Sequence, residues 1–202
     1  MVNCKSAFSR DPKGVEVLSP PGNNFRRALI LGGARSGKSG YALELAGHFS
    51  TPRLYLATAE AGDEEMAARI AQHRRERGED WDTREAPLDL AEAIAQSQGR
   101  YQVILADCLT LWLSNWLVRG GDSAGIKAVC LELVETLKQT TTPTILVSNE
   151  VGWGIVPENR LSREFRDWAG WLHQQLAAAS DLVVLLVAGL PLTLKSAHGK
   201  GE

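Results

Sequence analysis

The chain is poor in cysteine: Cys4, Cys108 and Cys130 are all it has in 202 residues. Their number is odd and their spacing fits no metal-binding pattern. A disulfide scaffold is therefore not expected, and a reducing, cytoplasmic setting is. No apolar run is long enough to span a bilayer, so membrane insertion is not expected. Neither sign of charge is in excess. With 22 Lys+Arg against 24 Asp+Glu the formal net charge is -2. That removes any bulk drive toward nucleic acid or an anionic membrane, and nucleic acid is not an expected partner. Residues 1–27 lack the apolar core of a secretory leader. Internal repeats and low-complexity tracts are also missing.

One stretch is dense in information. Residues 28–31 are a short apolar run, expected as a central strand. Gly32-Gly33-Ala34-Arg35-Ser36-Gly37-Lys38-Ser39 then fits G-x-x-x-x-G-K-[ST], and a helix is expected over 41–49. Glycines let the backbone curl until its N–H groups converge on an anion. The helix N-terminus adds its positive end. Lys38 can reach the β- and γ-phosphates, and the Ser39 hydroxyl can bind Mg²⁺. The pattern points to a nucleoside triphosphate such as ATP or GTP.

Further strands are expected at 53–58, 101–107, 143–148 and 182–188, with a short extended piece at 81–85 and an edge strand at 190–194. Helices are expected at 63–78, 88–98, 109–118, 125–139 and 157–180. Alternating strands and helices, with continuously apolar strands, imply an α/β fold with a mostly parallel sheet covered on both faces. Residues 1–27 are polar and broken by Pro and Gly, which predicts a flexible extension. Residues 28–195 read as one domain and 196–202 as a frayed tail.

Polar groups follow several strands: Thr58-Ala59-Glu60, Asp107 and Asn149-Glu150. Ligands of open α/β sheets bind at that edge. The run ending in Asp107 has the Walker B form, so its carboxylate can hold a Mg²⁺-bound water opposite Ser39. In the last helix Leu161, Phe165, Trp168, Leu172 and Leu176 share one stripe, expected to face the core, with His173 on the polar side. Trp112, Trp116 and Trp153 are expected to pack, the alternative being that they line a site for a large ligand.

The helix at 63–78 places Arg69, His73 and Arg77 four residues apart on one stripe. Arg74 and Arg75 add to the positive potential there, which favours a neutral imidazole and attracts phosphate. Such an imidazole is a competent nucleophile toward phosphorus. The same spacing equally suits a solvated basic face.

The runs GGARSGKS, EEMAARIAQHRRERG, WDTREAPLDL and VILADCLTLWLSNWL are joined by VSNEVGWGIVPENRLSREFRDWAGWLHQQLAAASD at 147–181. Together they resemble the bifunctional adenosylcobinamide kinase / adenosylcobinamide-phosphate guanylyltransferase family of cobalamin biosynthesis, from about residue 28 to 195. The long run is absent from general P-loop kinases and discriminates best. The resemblance implies a RecA-like P-loop sheet with an antiparallel edge, assembled as a homotrimer. It implies phosphorylation of adenosylcobinamide by ATP or GTP. GMP from GTP is then transferred to adenosylcobinamide phosphate through a covalent GMP–histidine, matched here by His73. It also places Thr58, Ala59, Glu60, Arg74, Arg75, Glu76, Arg77, Glu85 and Asp107 around the guanine nucleotide. The family begins almost at its first strand, whereas this chain carries about 27 residues more. Without the family, a plain P-loop kinase or a nucleotide-switched binding protein would fit the same motif.

Overall fold

Strand β1 (Arg27–Gly32) runs through the middle of a seven-stranded sheet. The computed structural model describes residues 24–60 and 80–196. The other strands are β2 (Arg53–Ala57), β3 (Trp81–Glu85), β4 (Val103–Asp107), β5 (Thr144–Asn149), β6 (Leu182–Val187) and β7 (Leu190–Ser196). Their order across the sheet is β3-β2-β4-β5-β1-β6-β7. All neighbours pair in parallel except β6 with β7, the antiparallel edge. The P-loop α/β architecture expected from the sequence is the one found.

The apolar strands alternate sides, as the period of two demands. Ala28 and Ile30 of β1, Val103 and Leu105 of β4, and Ile145 and Val147 of β5 face helix α1 (Lys38–Gly47). Leu29, Leu31, Ile104 and Leu146 face the other side. There they meet α2 (Leu90–Gln96), α3 (Leu109–Val118), α4 (Ser123–Gln139) and α5 (Arg160–Ala179). The central strands are buried on both faces, and each fully buried Leu or Ile contributes about 1.5–3 kcal/mol. Among the described residues, two helices start on side-chain caps. Asp122 accepts from the Gly125 N–H at 2.7 Å and Asn159 from the Ser162 N–H at 3.2 Å.

Three side chains sit elsewhere than their sequence pattern suggests. Leu161 opens the α5 stripe but is 43% exposed, because α5 overhangs the core at its first turn. His173, expected on the polar side, is 6% exposed and lies against Ser148 of the central strand β5. Trp153 is 76% exposed rather than packed, with Ile155 and Val156 beside it in the loop after β5. Trp112 does pack: it is 1% exposed and its indole N–H donates to the Leu88 carbonyl at 2.8 Å. Trp116 is partly buried against the same cluster.

Candidate functional site

The site is built where β1 hands over to α1. Gly37 occupies the N-cap of α1 at φ 93, and its missing side chain supplies no cap bond. The first N–H groups of α1 therefore have no side-chain acceptor and point outward as a ready anion cradle. The loop folds on itself: the Ser36 N–H donates to the Gly33 carbonyl at 3.3 Å. The Lys38 ammonium donates to the same carbonyl at 3.1 Å, so its charge lies against the loop backbone. Gly32 has no room for a side chain. A Cβ there would meet Ser36 Oγ at 2.4 Å and the Leu186 carbonyl at 2.8 Å.

Neighbouring strands hold this loop in place. The Glu150 N–H donates to the Gly32 carbonyl at 3.0 Å, and the Gly189 N–H donates to the Ser36 carbonyl at 3.0 Å. Asn149 is the register partner of Gly32. Asp107 ends β4, one strand further on, and is partly buried. Alternation along β4 turns its carboxylate to the α1 side of the sheet. The next residue reports on this charge environment. The Cys108 thiol is pushed up by burial and then by the Asp107 carboxylate, while Lys38 pulls it back in part. The P-loop lysine and the Walker B carboxylate thus act on one region. Ser39 and Asp107 offer hard oxygen donors of the kind Mg²⁺ takes. At the end of β5, between β4 and β1, the side-chain oxygen of Asn149 is buried with no protein hydrogen-bond partner.

The other predicted residues divide. Thr58 is fully buried, and its hydroxyl is committed: it donates to the Cys108 carbonyl at 2.7 Å and accepts from the Cys108 N–H at 2.8 Å. This bracket ties the ends of β2 and β4 together. Glu60 is exposed and pairs with Arg119 at 2.6 Å. Glu85 is exposed at the end of β3, four strands from β1, or roughly 19 Å across the sheet at ordinary strand spacing. The stretch expected as a helix, with His73, Arg74, Arg75, Glu76 and Arg77, lies outside the described residues.

A buried polar chain that the sequence reading did not assign supports the same edge. His173 Nε2 and Ser148 Oγ are 2.7 Å apart. His173 Nδ1 faces the Glu150 carboxylate at 3.8 Å, and Glu150 accepts from the Gly152 N–H at 2.7 Å. Burial pushes the His173 imidazole below the usual histidine range, with Glu150 offsetting part of that. The signal for this chain was the polar pair Asn149-Glu150 closing an apolar strand. Nothing local marked His173 as its partner.

Residues 28–194 match the family model described as cobinamide kinase / cobinamide phosphate guanyltransferase. The chain belongs to that family. It is an enzyme family with two activities, and the curated relatives agree over most of the chain. The bifunctional adenosylcobalamin biosynthesis protein CobP of Pseudomonas aeruginosa is 47% identical over 169 residues, covering 84% of this chain and 97% of that protein. The bifunctional protein CobU of Escherichia coli is 42% identical over 179 residues, covering 83% and 98%. Its namesake from Salmonella typhimurium is 41% identical over 180 residues, covering 83% and 98%. Among the described residues no helix is long and apolar enough to cross a membrane.

Proposed function

We propose that this chain moves the γ-phosphate of ATP or GTP onto the aminopropanol hydroxyl of adenosylcobinamide. It then attaches GMP from GTP to the new phosphate, giving adenosylcobinamide-GDP and pyrophosphate. The observation that carries the reading is a complete phosphate loop within the matched residues 28–194.

In the first reaction the hydroxyl oxygen bonds to the γ-phosphorus, the bridge to the β-phosphate breaks, and the hydroxyl proton passes by way of solvent to the phosphate products. The nucleoside diphosphate leaves with the bonding electrons. Lys38 and the N–H groups of Gly33 to Ser39 hold the phosphates and offset their charge. Ser39 and Asp107 would hold Mg²⁺, which when bound neutralises charge on the phosphate oxygens. In the second reaction a ring nitrogen of His73 bonds to the α-phosphorus of GTP and pyrophosphate leaves. An oxygen of adenosylcobinamide phosphate then bonds to that phosphorus and frees His73. Splitting the transfer this way replaces one hard step by two. Arg74, Arg75 and Arg77 steady the charge at phosphorus, and Glu60 or Glu85 accepts from guanine. A homotrimer working in the cytoplasm belongs to the same reading.

The test is labelling with GTP carrying radiophosphorus at the α position. Wild type should acquire a label that survives base and is lost in acid, as a phosphoramidate does, and His73→Ala should acquire none. Lys38→Ala should lose both activities. Label on His73→Ala, or none on a wild type that binds GTP, would overturn the covalent step.

A further inference from the structure

The side-chain oxygen of Asn149 is buried with no protein hydrogen-bond partner. Buried acceptors are nearly always satisfied, and one left bare costs about 1–3 kcal/mol. Its position is well defined. Asn149 ends β5, the strand between the P-loop strand β1 and the Walker B strand β4. Its register partner is Gly32, the first residue of the loop. Its N–H is held by the Thr110 hydroxyl at 2.8 Å. Ile145 and Val147 face α1, so alternation turns the Asn149 carboxamide to the α1 side, the side of Asp107 and the helix that carries Lys38 and Ser39. The Asn149 backbone thus lies about one strand spacing, roughly 5 Å, from Gly32.

We propose that Asn149 receives the O–H of the alcohol in the kinase step and aims its oxygen at the γ-phosphorus. The inference rests on the function proposed above. The oxygen of a carboxamide accepts and cannot donate, so it suits a hydroxyl and not a phosphate oxygen. Among the described residues, the carboxylates expected at this edge are otherwise placed: Asp107 suits the metal, Glu60 pairs with Arg119, Glu150 is held by the Gly152 N–H, and Glu85 is remote. A neutral acceptor orients the nucleophile without placing a further negative charge beside the triphosphate. The guanylyl step has no alcohol to orient, since its nucleophiles are His73 and a phosphate oxygen.

The experiment compares wild type with Asn149→Ala in three measurements on the full chain. These are ATP-dependent phosphorylation of adenosylcobinamide, guanylyl transfer to preformed adenosylcobinamide phosphate, and thermal melting. Loss of one substrate hydrogen bond predicts a kinase kcat lower by about tenfold to a hundredfold. The KM for ATP and the guanylyl transfer rate should stay within about twofold. Because a bare buried acceptor is removed, Tm should hold or rise, whereas a structural asparagine would lower it. An unchanged kinase kcat overturns the inference alone. So does a parallel fall in both reactions, which would put the contact on the nucleotide, and so does a loss of Tm that tracks the loss of rate. A wild type that binds ATP but leaves adenosylcobinamide unmodified overturns the functional reading, and this inference with it.

Discussion

The N–H of Gly189 donates to the carbonyl of Ser36 at 3.0 Å. The turn between β6 and the antiparallel edge strand β7 therefore backs the phosphate loop from outside. Gly189 makes this contact at φ 83, a left-handed conformation that costs other residues about 1–2 kcal/mol. Gly189→Ala should lower Tm by about 2–8 °C. ATP affinity should weaken by about twofold to tenfold, as the loop loses its brace. Thermal melts and ATP titration check this. An unchanged affinity would mean that the loop holds its shape without the turn.

The two glycines that open the loop should not behave alike. At Gly32 an added Cβ would meet Ser36 Oγ at 2.4 Å and backbone at 2.8 Å, while at Gly33 nothing lies within 4 Å. Gly32→Ala should cost about 1–3 kcal/mol and displace the loop, with ATP binding falling at least tenfold. Gly33→Ala should fold normally and bind ATP within about threefold of wild type. Equal effects would contradict the packing described.

Strand β1 is pinned at its start. Arg27 donates two bonds to Asp181, at 2.7 and 3.3 Å, and the N–H groups of Arg26 and Arg27 add two more, at 3.1 and 3.0 Å. Burial pushes the Asp181 carboxyl up, but Arg27 and those N–H groups overcome it and hold the carboxyl below the usual range. A depressed carboxyl stabilises the fold above its unfolded-state value of about 3.9 and stops doing so as pH falls through its folded-state value. Asp181→Asn should cost about 1–3 kcal/mol at neutral pH. Urea titrations should show the gap to wild type closing only under acid.

His173 carries a dependence of the same sign, set in a higher pH range. Its imidazole is held low by burial, so the unfolded chain binds a proton more readily than the folded one. Stability should therefore fall as pH drops below the unfolded value of about 6.5. Urea titrations at about pH 7.5 and about pH 5.5 should show a drop in wild type that His173→Gln reduces. An equal drop in both would place the acid sensitivity elsewhere.

Most of the architecture was legible in the sequence, for physical reasons. Strand runs such as VILAD and LVVLLV are buried on both faces and carry no competing pattern. The loop motif allows one backbone course. Less legible were features set by distant partners. Helical periodicity orients α5, but the burial of His173 depends on Ser148 in another element. Leu161 continues the stripe past the point where the core ends. Trp153 looks like a packing residue in sequence, yet the loop after β5 leaves it in the open. Within the site, Lys38 and Asp107 followed from motif spacing. Asn149 was visible as a polar strand end, and only the register with Gly32 gave it a place.

The central claim is that one phosphate loop serves two successive transfers. The most direct measurement incubates the purified chain with adenosylcobinamide, ATP labelled at the γ position and GTP labelled at the α position, and separates the corrinoid products. The account predicts a single final product, adenosylcobinamide-GDP, carrying both labels in equal amount, with pyrophosphate released in step with the second. A corrinoid that carries neither label, while the chain still binds both nucleotides, would contradict it.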